Sequence, residues 1–281
     1  MNILQSVVLG VVEGLTEFLP VSSTGHLTIA EKALGLKVND NSVTGFTAVI
    51  QVGAVLAVLL YFRRDIGRFV ASGVGGLFSA ERRAHSDFRL AWLVVLGSVP
   101  IGVVGFAAKD VIKGDLRSLW VVAVALIAWS LVMVVAERRG RVELEQGTVR
   151  GEQQVGVLDA LTIGLVQCVA LVPGVSRSGA TISAGLLRGL DRVTATRLSF
   201  FLAIPALVAA GAFELKDATS GGVGAVPTAV GTVVSFVVAY ASIAWLLKFV
   251  ATHSIARFVP YRVLVGVVLL GLLAGGAMNA R

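Results

Sequence analysis

The chain has 281 residues, 56% of them hydrophobic and only 15% charged, with a mean hydropathy of +0.86 and a formal net charge of +7. Soluble domains run nearer half apolar and a quarter charged, so this balance excludes an ordinary soluble domain and points to an all-α integral membrane protein. The basic residues are scattered among loops rather than striped on one face, which argues against a nucleic-acid partner, and the single cysteine, Cys168, excludes an intrachain disulfide.

The chain opens on an apolar stretch, about 3–36, broken in its middle by P-V-S-S-T-G-H at residues 20–26. No Lys or Arg precedes Lys32, so a cleavable leader with a charged n-region is not expected. Apolar runs then predict membrane spans at about 43–62, 89–107 and 118–136, with Pro100 inside the second. A second broken stretch, about 157–190, carries P-G-V-S-R-S-G at residues 173–179. Spans at about 198–213, 225–247 and 263–279 follow, the first interrupted by Pro205. Gly266, Gly271, Gly275 and Gly276 in the last read as close helix packing. Irregular backbone survives at membrane depth only where protein or a wet cavity satisfies its polar groups. Each broken stretch is therefore read as a re-entrant helix-turn-helix hairpin rather than a span.

Loop charge supports that count. Residues 63–89, 137–154, 188–197 and 248–262 hold sixteen Lys and Arg. The other connections (Lys32, Lys37, Lys109, Lys113, Arg117 and Lys216) and the C-terminal Arg281 hold seven. With six spans and two hairpins, every rich loop falls on one side. The positive-inside rule then makes that side cytoplasmic and predicts both termini outside the cytoplasm.

Sliding the sequence on itself by 154 residues places Gly10 on Gly164, Glu13 on Gln167, Ser22 on Ser176, Gly25 on Gly179 and Phe46 on Phe200. The halves, about 1–137 and 155–281 of a single membrane domain, would each hold one hairpin and three spans. That odd number of crossings predicts an inverted repeat, whose site lies near the midplane where the two breaks meet. Ser22–His26 would then face Ser176–Ser178.

Glu13 and Glu17 lie one helical turn apart on one face. A carboxylate at membrane depth is costly and usually marks a site, although a neutral, hydrogen-bonded carboxyl is the plain alternative. The pair suits a hard divalent cation, Mg²⁺ or Ca²⁺, completed by water and substrate oxygens, and equally suits a proton acceptor. Behind Pro20, the hydroxyls of Ser22, Ser23 and Thr24 and the backbone at Gly25 would open a half-helix, an anion-binding end, or simply cap it. Ser23 is a candidate nucleophile and His26 its base or a proton donor; His85 and His253 fall in loops. The second break adds Arg177, able to fork onto two phosphate oxygens or to neutralise Glu13 or Glu17. Gly174 and Gly179 allow close backbone approach, Ser176, Ser178 and Thr181 offer hydroxyls, and Gln167 stands opposite Glu13 in the repeat. Together these describe a phosphate-handling site for a substrate with a lipid tail. A transporter or flippase for the same lipid uses a similar architecture.

E-G-L-T-E-F-L-P-V-S-S-T-G-H (13–26) and Q-C-V-A-L-V-P-G-V-S-R-S-G-A-T (167–181) resemble the two signature stretches of the bacterial undecaprenyl-diphosphatase family, also called bacitracin-resistance proteins. The resemblance implies a multi-pass enzyme of the plasma membrane that converts undecaprenyl diphosphate to undecaprenyl phosphate, the lipid carrier of peptidoglycan synthesis. It carries the family's acidic pair onto Glu13 and Glu17, its Ser/His segment onto Ser23 and His26, and its Ser-Arg pair onto Ser176 and Arg177. It further implies a divalent cation and a site facing the periplasm, and leaves room for a homodimer. It leaves open whether Ser23 or a metal-held water attacks.

Overall fold

The structure, a computed structural model, describes residues 1–280 apart from 39, 109–110, 113–115, 117 and 219–222, with backbone alone for 212–218. It is all-α among the described residues. The first apolar stretch forms α1 (Ile3–Thr16) and α2 (Ser23–Ala33), separated by a turn at the predicted proline-serine cluster. Asn2 caps α1 in a reciprocal capping box with Gln5, and Ser22 caps α2. Then follow α3 (Asn41–Tyr61), α4 (Arg63–Phe78), the single turn α5 (Ala80–Arg83), α6 (Ser86–Ala107) and α7 (Leu119–Glu145). The second broken stretch forms α8 (Val157–Val169) and α9 (Arg177–Leu187), followed by α10 (Arg192–Ala218), α11 (Ala225–Thr252) and α12 (Val259–Ala274).

Among the described residues, six helical stretches are long and apolar enough to cross a membrane: Asn41–Tyr61, Ser86–Ala107, Leu119–Glu145, Arg192–Gly211, Ala225–Thr252 and Ile255–Ala274. They match the six predicted spans in order, and the protein is a multi-pass membrane protein. Boundaries differ where hydropathy is a poor guide. Helices α7, α10 and α11 run beyond their apolar runs into charged turns, and Pro100 and Pro205 lie within continuous helices. Residues 63–78, read as loop, form an amphipathic helix whose Phe69, Gly73 and Gly76 are buried while Val70, Val74 and Phe78 are exposed.

The described polar connections sort into two groups. Arg197 bonds Asp65 at 3.1 Å and Glu152 at 2.7 Å; Arg192 pairs with Glu137 at 2.8 Å; and Glu137 accepts the Ile255 N–H at 2.7 Å. These contacts join all four Arg-rich connections at one end of the molecule. Asp159, at the start of α8, is held there by Arg150 and Arg188 at 2.8 and 2.9 Å. At the other end, Lys32 donates to the Asn279 carbonyl and the Leu119 N–H to that of Ala280 at 3.0 Å. Each broken stretch closes on itself: Gln5 reaches the Leu34 carbonyl at 3.3 Å, and Arg188 returns to Asp159. The tallies for Lys109, Lys113, Arg117, Lys216 and Arg281 lie outside the described residues. One residue of the tally is misplaced: Arg262, counted to loop 248–262, is buried within α12.

Helices α1 and α8 each pack on a helix from the opposite half of the sequence, α11 and α6 respectively. The contacts are too close for any side chain. A methyl group at Gly10 would fall 2.6 Å from the Gly231 carbonyl oxygen, and one at its counterpart Gly164 would fall 2.1 Å from that of Gly97. Gly164→Ala is therefore expected to force α8 off α6 and to cost about 1–3 kcal/mol. Thermal unfolding of the purified protein should show the loss, with Gly67→Ala, where nothing lies within 4 Å, as the neutral comparison.

Candidate active site

Helix α1 ends where Pro20 removes a donor and the chain turns through Phe18, Leu19 and Val21, all buried. Helix α8 ends at the equivalent place, before Pro173. Both chains restart at a serine with positive φ: Ser22 at 77° and Ser176 at 75°, the only such non-glycine residues among those described. That backbone costs on the order of 1–3 kcal/mol and persists only where its surroundings enforce it. Each serine enforces it in the same way, its Oγ accepting a backbone N–H three residues on, from Gly25 at 3.5 Å and Gly179 at 3.2 Å.

The two breaks touch. Ser22 Oγ also accepts the Gly174 N–H at 3.1 Å, across the interface. Ser178 Oγ donates to the Leu19 carbonyl at 2.9 Å, and Ser176 Oγ lies 3.1 Å from Ser178 Oγ. Gly174, at φ 101°, sits so close to α7 that a methyl group there would be 2.4 Å from the Val122 carbonyl oxygen. Thr181 holds the start of α9 by bonding the Arg177 carbonyl at 2.8 Å and Ser199 Oγ at 2.6 Å.

At this junction Glu17, a buried carboxylate, accepts from both sides. Arg177 Nη2 donates to Oε1 at 3.0 Å and Ser23 Oγ donates to Oε2 at 2.5 Å. The ion-pair alternative for Arg177 is thus realised, toward Glu17. The pair uses only part of the guanidinium, however. Arg177 Nη1 is buried and has no hydrogen-bond partner among the described residues. An unsatisfied charged donor in such a place costs more than the ~1–3 kcal/mol of a neutral one, so its natural partner is an incoming anion.

A cavity of about 550 Å³ opens beside this group, within the size range that encloses a drug-sized molecule. Its polar end is formed by Glu17, Ser22, Ser23, Thr24, Ser176 and Arg177, with Gln51 from α3. The rest of its wall is apolar and comes from the turns just after Pro100 and Pro205, including Gly102, Phe106 and Leu207, together with Leu171 and Pro173. Six predicted site residues therefore share one chamber. Glu13, one turn behind Glu17, is almost wholly buried and does not line it; Gln167, Ser178, Gly179 and Thr181 lie behind the tips. Gly25 packs against α7, where a methyl group would meet Val122 at 2.9 Å. His26 faces away from Ser23: Nδ1 bonds the Ser22 carbonyl at 2.7 Å, and Nε2 pairs with the Tyr261 hydroxyl at 2.7 Å beneath a stacked ring.

Three residues near the site were not singled out in the sequence: Gln51, Tyr261 and Arg262. Gln51 was discoverable as the one amide inside span 43–62. Tyr261 and Arg262 sit at the edge of the last apolar run, where hydropathy cannot separate a loop from a first helical turn. Among the described residues no three Asp, Glu, His or Cys side chains converge as a metal cage. The donors at hand, Glu17 with Ser23 and Gln51, do suit a hard cation that takes one or two carboxylates and completes its shell with water and phosphate oxygens.

Residues 6–268 match the family model described as bacitracin resistance protein BacA. Among curated proteins, the chain is 58% identical over 277 residues to undecaprenyl-diphosphatase 1 of Frankia alni, covering 98% of both chains. It is 57% identical over 279 residues to undecaprenyl-diphosphatase 1 of Streptomyces avermitilis, covering 99% of both. It is 46% identical over 280 residues to undecaprenyl-diphosphatase of Corynebacterium diphtheriae, covering 98% of this chain and 96% of that one.

The dual role of Ser22 gives a structural test. Ser22→Ala removes the cap of α2 and strands the buried Gly174 N–H, an expected cost of about 1–3 kcal/mol. Thr24→Ala, at an exposed position, should leave the unfolding temperature near that of the parent.

Proposed function

We propose that this chain, which belongs to the bacitracin resistance protein BacA family, hydrolyses undecaprenyl diphosphate to undecaprenyl phosphate and inorganic phosphate, recycling the lipid carrier of wall synthesis. The observation that carries the reading is Arg177. One terminal guanidinium nitrogen is spent on Glu17, the second is buried without a partner among the described residues, and Arg177 belongs to the polar end of a cavity that is otherwise apolar. That layout suits a headgroup of two phosphates joined to an aliphatic tail. The tail would lie along the walls after Pro100 and Pro205 and continue into the bilayer.

The terminal phosphate binds through Arg177 and the hydroxyls of Ser22, Thr24 and Ser176. Glu17 takes the Ser23 proton as Ser23 Oγ attacks the terminal phosphorus. The P–O bond to the bridging oxygen breaks, and undecaprenyl phosphate departs. Water then cleaves the phosphoserine: Glu17 returns its proton to the Ser23 oxygen as that oxygen leaves, the water's protons stay on the released phosphate, and both side chains are restored. Arg177 offsets charge on the equatorial oxygens throughout. A divalent cation, Mg²⁺ or Ca²⁺, held by Glu17 with Ser23 and Gln51, would add Lewis-acid neutralisation of the diphosphate. His26, paired with Tyr261, orients α2 through the Ser22 carbonyl.

The same reading covers membrane placement. Two hairpins entering from opposite faces, in halves 1–137 and 155–281 related as an inverted repeat, would meet near the midplane. Support comes from the closure of each stretch on its own end and from the grouping of Arg-rich connections. By the positive-inside rule the rich end would lie in the cytoplasm and the termini outside it, with the cavity facing the periplasm.

Phosphate release from undecaprenyl diphosphate by purified protein tests the reading. Glu17→Gln is expected to lose about 10²–10⁴-fold in kcat and Arg177→Ala about 10²–10³-fold, with activity also falling on chelation. Unchanged release in both variants would remove this site, and binding without release in the parent would favour a lipid carrier. The apolar wall gives a separate test. A side chain at Gly102 would enter open space, so Gly102→Leu should lower kcat/KM for undecaprenyl diphosphate about tenfold and leave a single-isoprene diphosphate much less affected.

A further inference from the structure

Among the described residues, the largest side chain wholly removed from solvent is a cation, Arg262, in the first turn of α12. Its guanidinium makes five hydrogen bonds. Nε donates to Ser130 Oγ at 3.1 Å, Nη1 to the Pro20 carbonyl at 2.8 Å, and Nη2 to the carbonyls of Gly174 at 3.0 Å, Val175 at 3.1 Å and Leu126 at 3.4 Å. No salt bridge to it occurs among the described residues, so neutral acceptors hold a full charge.

Three of those acceptors are the carbonyls that the two helix breaks set free. Pro20 lies three residues before Ser23, and Val175 two before Arg177. One planar fork therefore spans the two tips just upstream of the group that attacks and the group that binds phosphate. Its chain neighbour, Tyr261, holds His26 on α2, so two consecutive residues grip the first hairpin from one side. A lysine could not reproduce this, since an ammonium has no fixed fork with which to reach carbonyls on separate segments.

The geometry points to Arg262 as a positioning residue for the hydrolysis: by tying the Pro20 carbonyl to those of Gly174 and Val175, it sets the separation of Ser23 and Glu17 from Arg177. The inference rests on the hydrolase reading for its kinetic arm only. A loosened tie displaces reacting groups without removing any of them, so the loss falls on kcat, and a misplacement of about 1 Å is worth on the order of 10²-fold.

The test compares the parent with Arg262→Lys, as folded, monodisperse enzyme, reading kcat, KM and unfolding temperature. The expected result is a kcat lower by about 10²-fold at little-changed KM. A purely structural role would lower the unfolding temperature and leave kcat of the folded enzyme intact, which overturns the inference. Should Arg262→Lys not fold, Ser130→Ala frees the Nε end while keeping the arginine. A smaller loss in kcat supports the tie, and an unaltered kcat counts against it. Spin labels at Thr24 and Leu171, one on each tip, give a readout independent of turnover. A broader distance distribution in the variant supports the tie, and one as narrow as the parent's refutes it. A parent enzyme that releases no phosphate would sink the hydrolase reading, and the label distances would still decide this one.

Discussion

A helix broken in an apolar setting exposes N–H and C=O groups that have no water to turn to, and the rest of this structure follows from where those groups go. Neither break satisfies all of its own. Ser22 accepts from the Gly174 N–H, Ser178 donates to the Leu19 carbonyl, and Arg262 donates to the carbonyls of Pro20, Gly174 and Val175. Each tip is folded only because the other is there. The mutual dependence explains why two serines tolerate positive φ, and why glycine must stand at 174, where backbone from a third segment presses close.

Charge is arranged by the same logic. Glu17 is neutralised by Arg177 and further held by Ser23, so the carboxylate is kept close to both a proton donor and an anion-binding group. A buried pair of this kind is a poor source of stability, because desolvation offsets most of the attraction. Its value lies in leaving part of Arg177 unspent next to a cavity. The apolar remainder of that cavity gives the charged end its context, since a soluble phosphate ester would gain nothing from walls built of Gly102, Phe106 and Leu207.

Much of this was legible in the sequence. Six spans stand out because a run of some twenty apolar residues has few other uses. The breaks stand out because Pro, Gly and Ser inside such a run destroy a helix at a definite place, and the helices do stop at Thr16 and Val169 and restart at Ser23 and Arg177. Glu17, Ser23 and Arg177 come together because the tips that carry them do. What was not legible depends on rotation about a helix axis or on contacts between distant segments. Glu13 and Glu17 share a helical face one turn apart, yet Glu13 is packed away among neighbouring helices and Glu17, at the end of α1, opens to the cavity. His26 is three residues from Ser23, yet its ring turns to α12. Arg262 was hidden by its position at the margin of an apolar run, and α4 by the arginines that flank it.

The matched pair of serine turns has one more consequence. Across the 154-residue offset the backbone distortion is duplicated, but the side chains are not: the first copy carries Glu17 and the Ser23 hydroxyl, and the second carries the Arg177 guanidinium. Either half expressed by itself would hold an incomplete reagent set on a tip that lacks its partners. The proposed chemistry would therefore belong to the seam alone, and it would come into being only when the second copy, last off the ribosome, closes against the first.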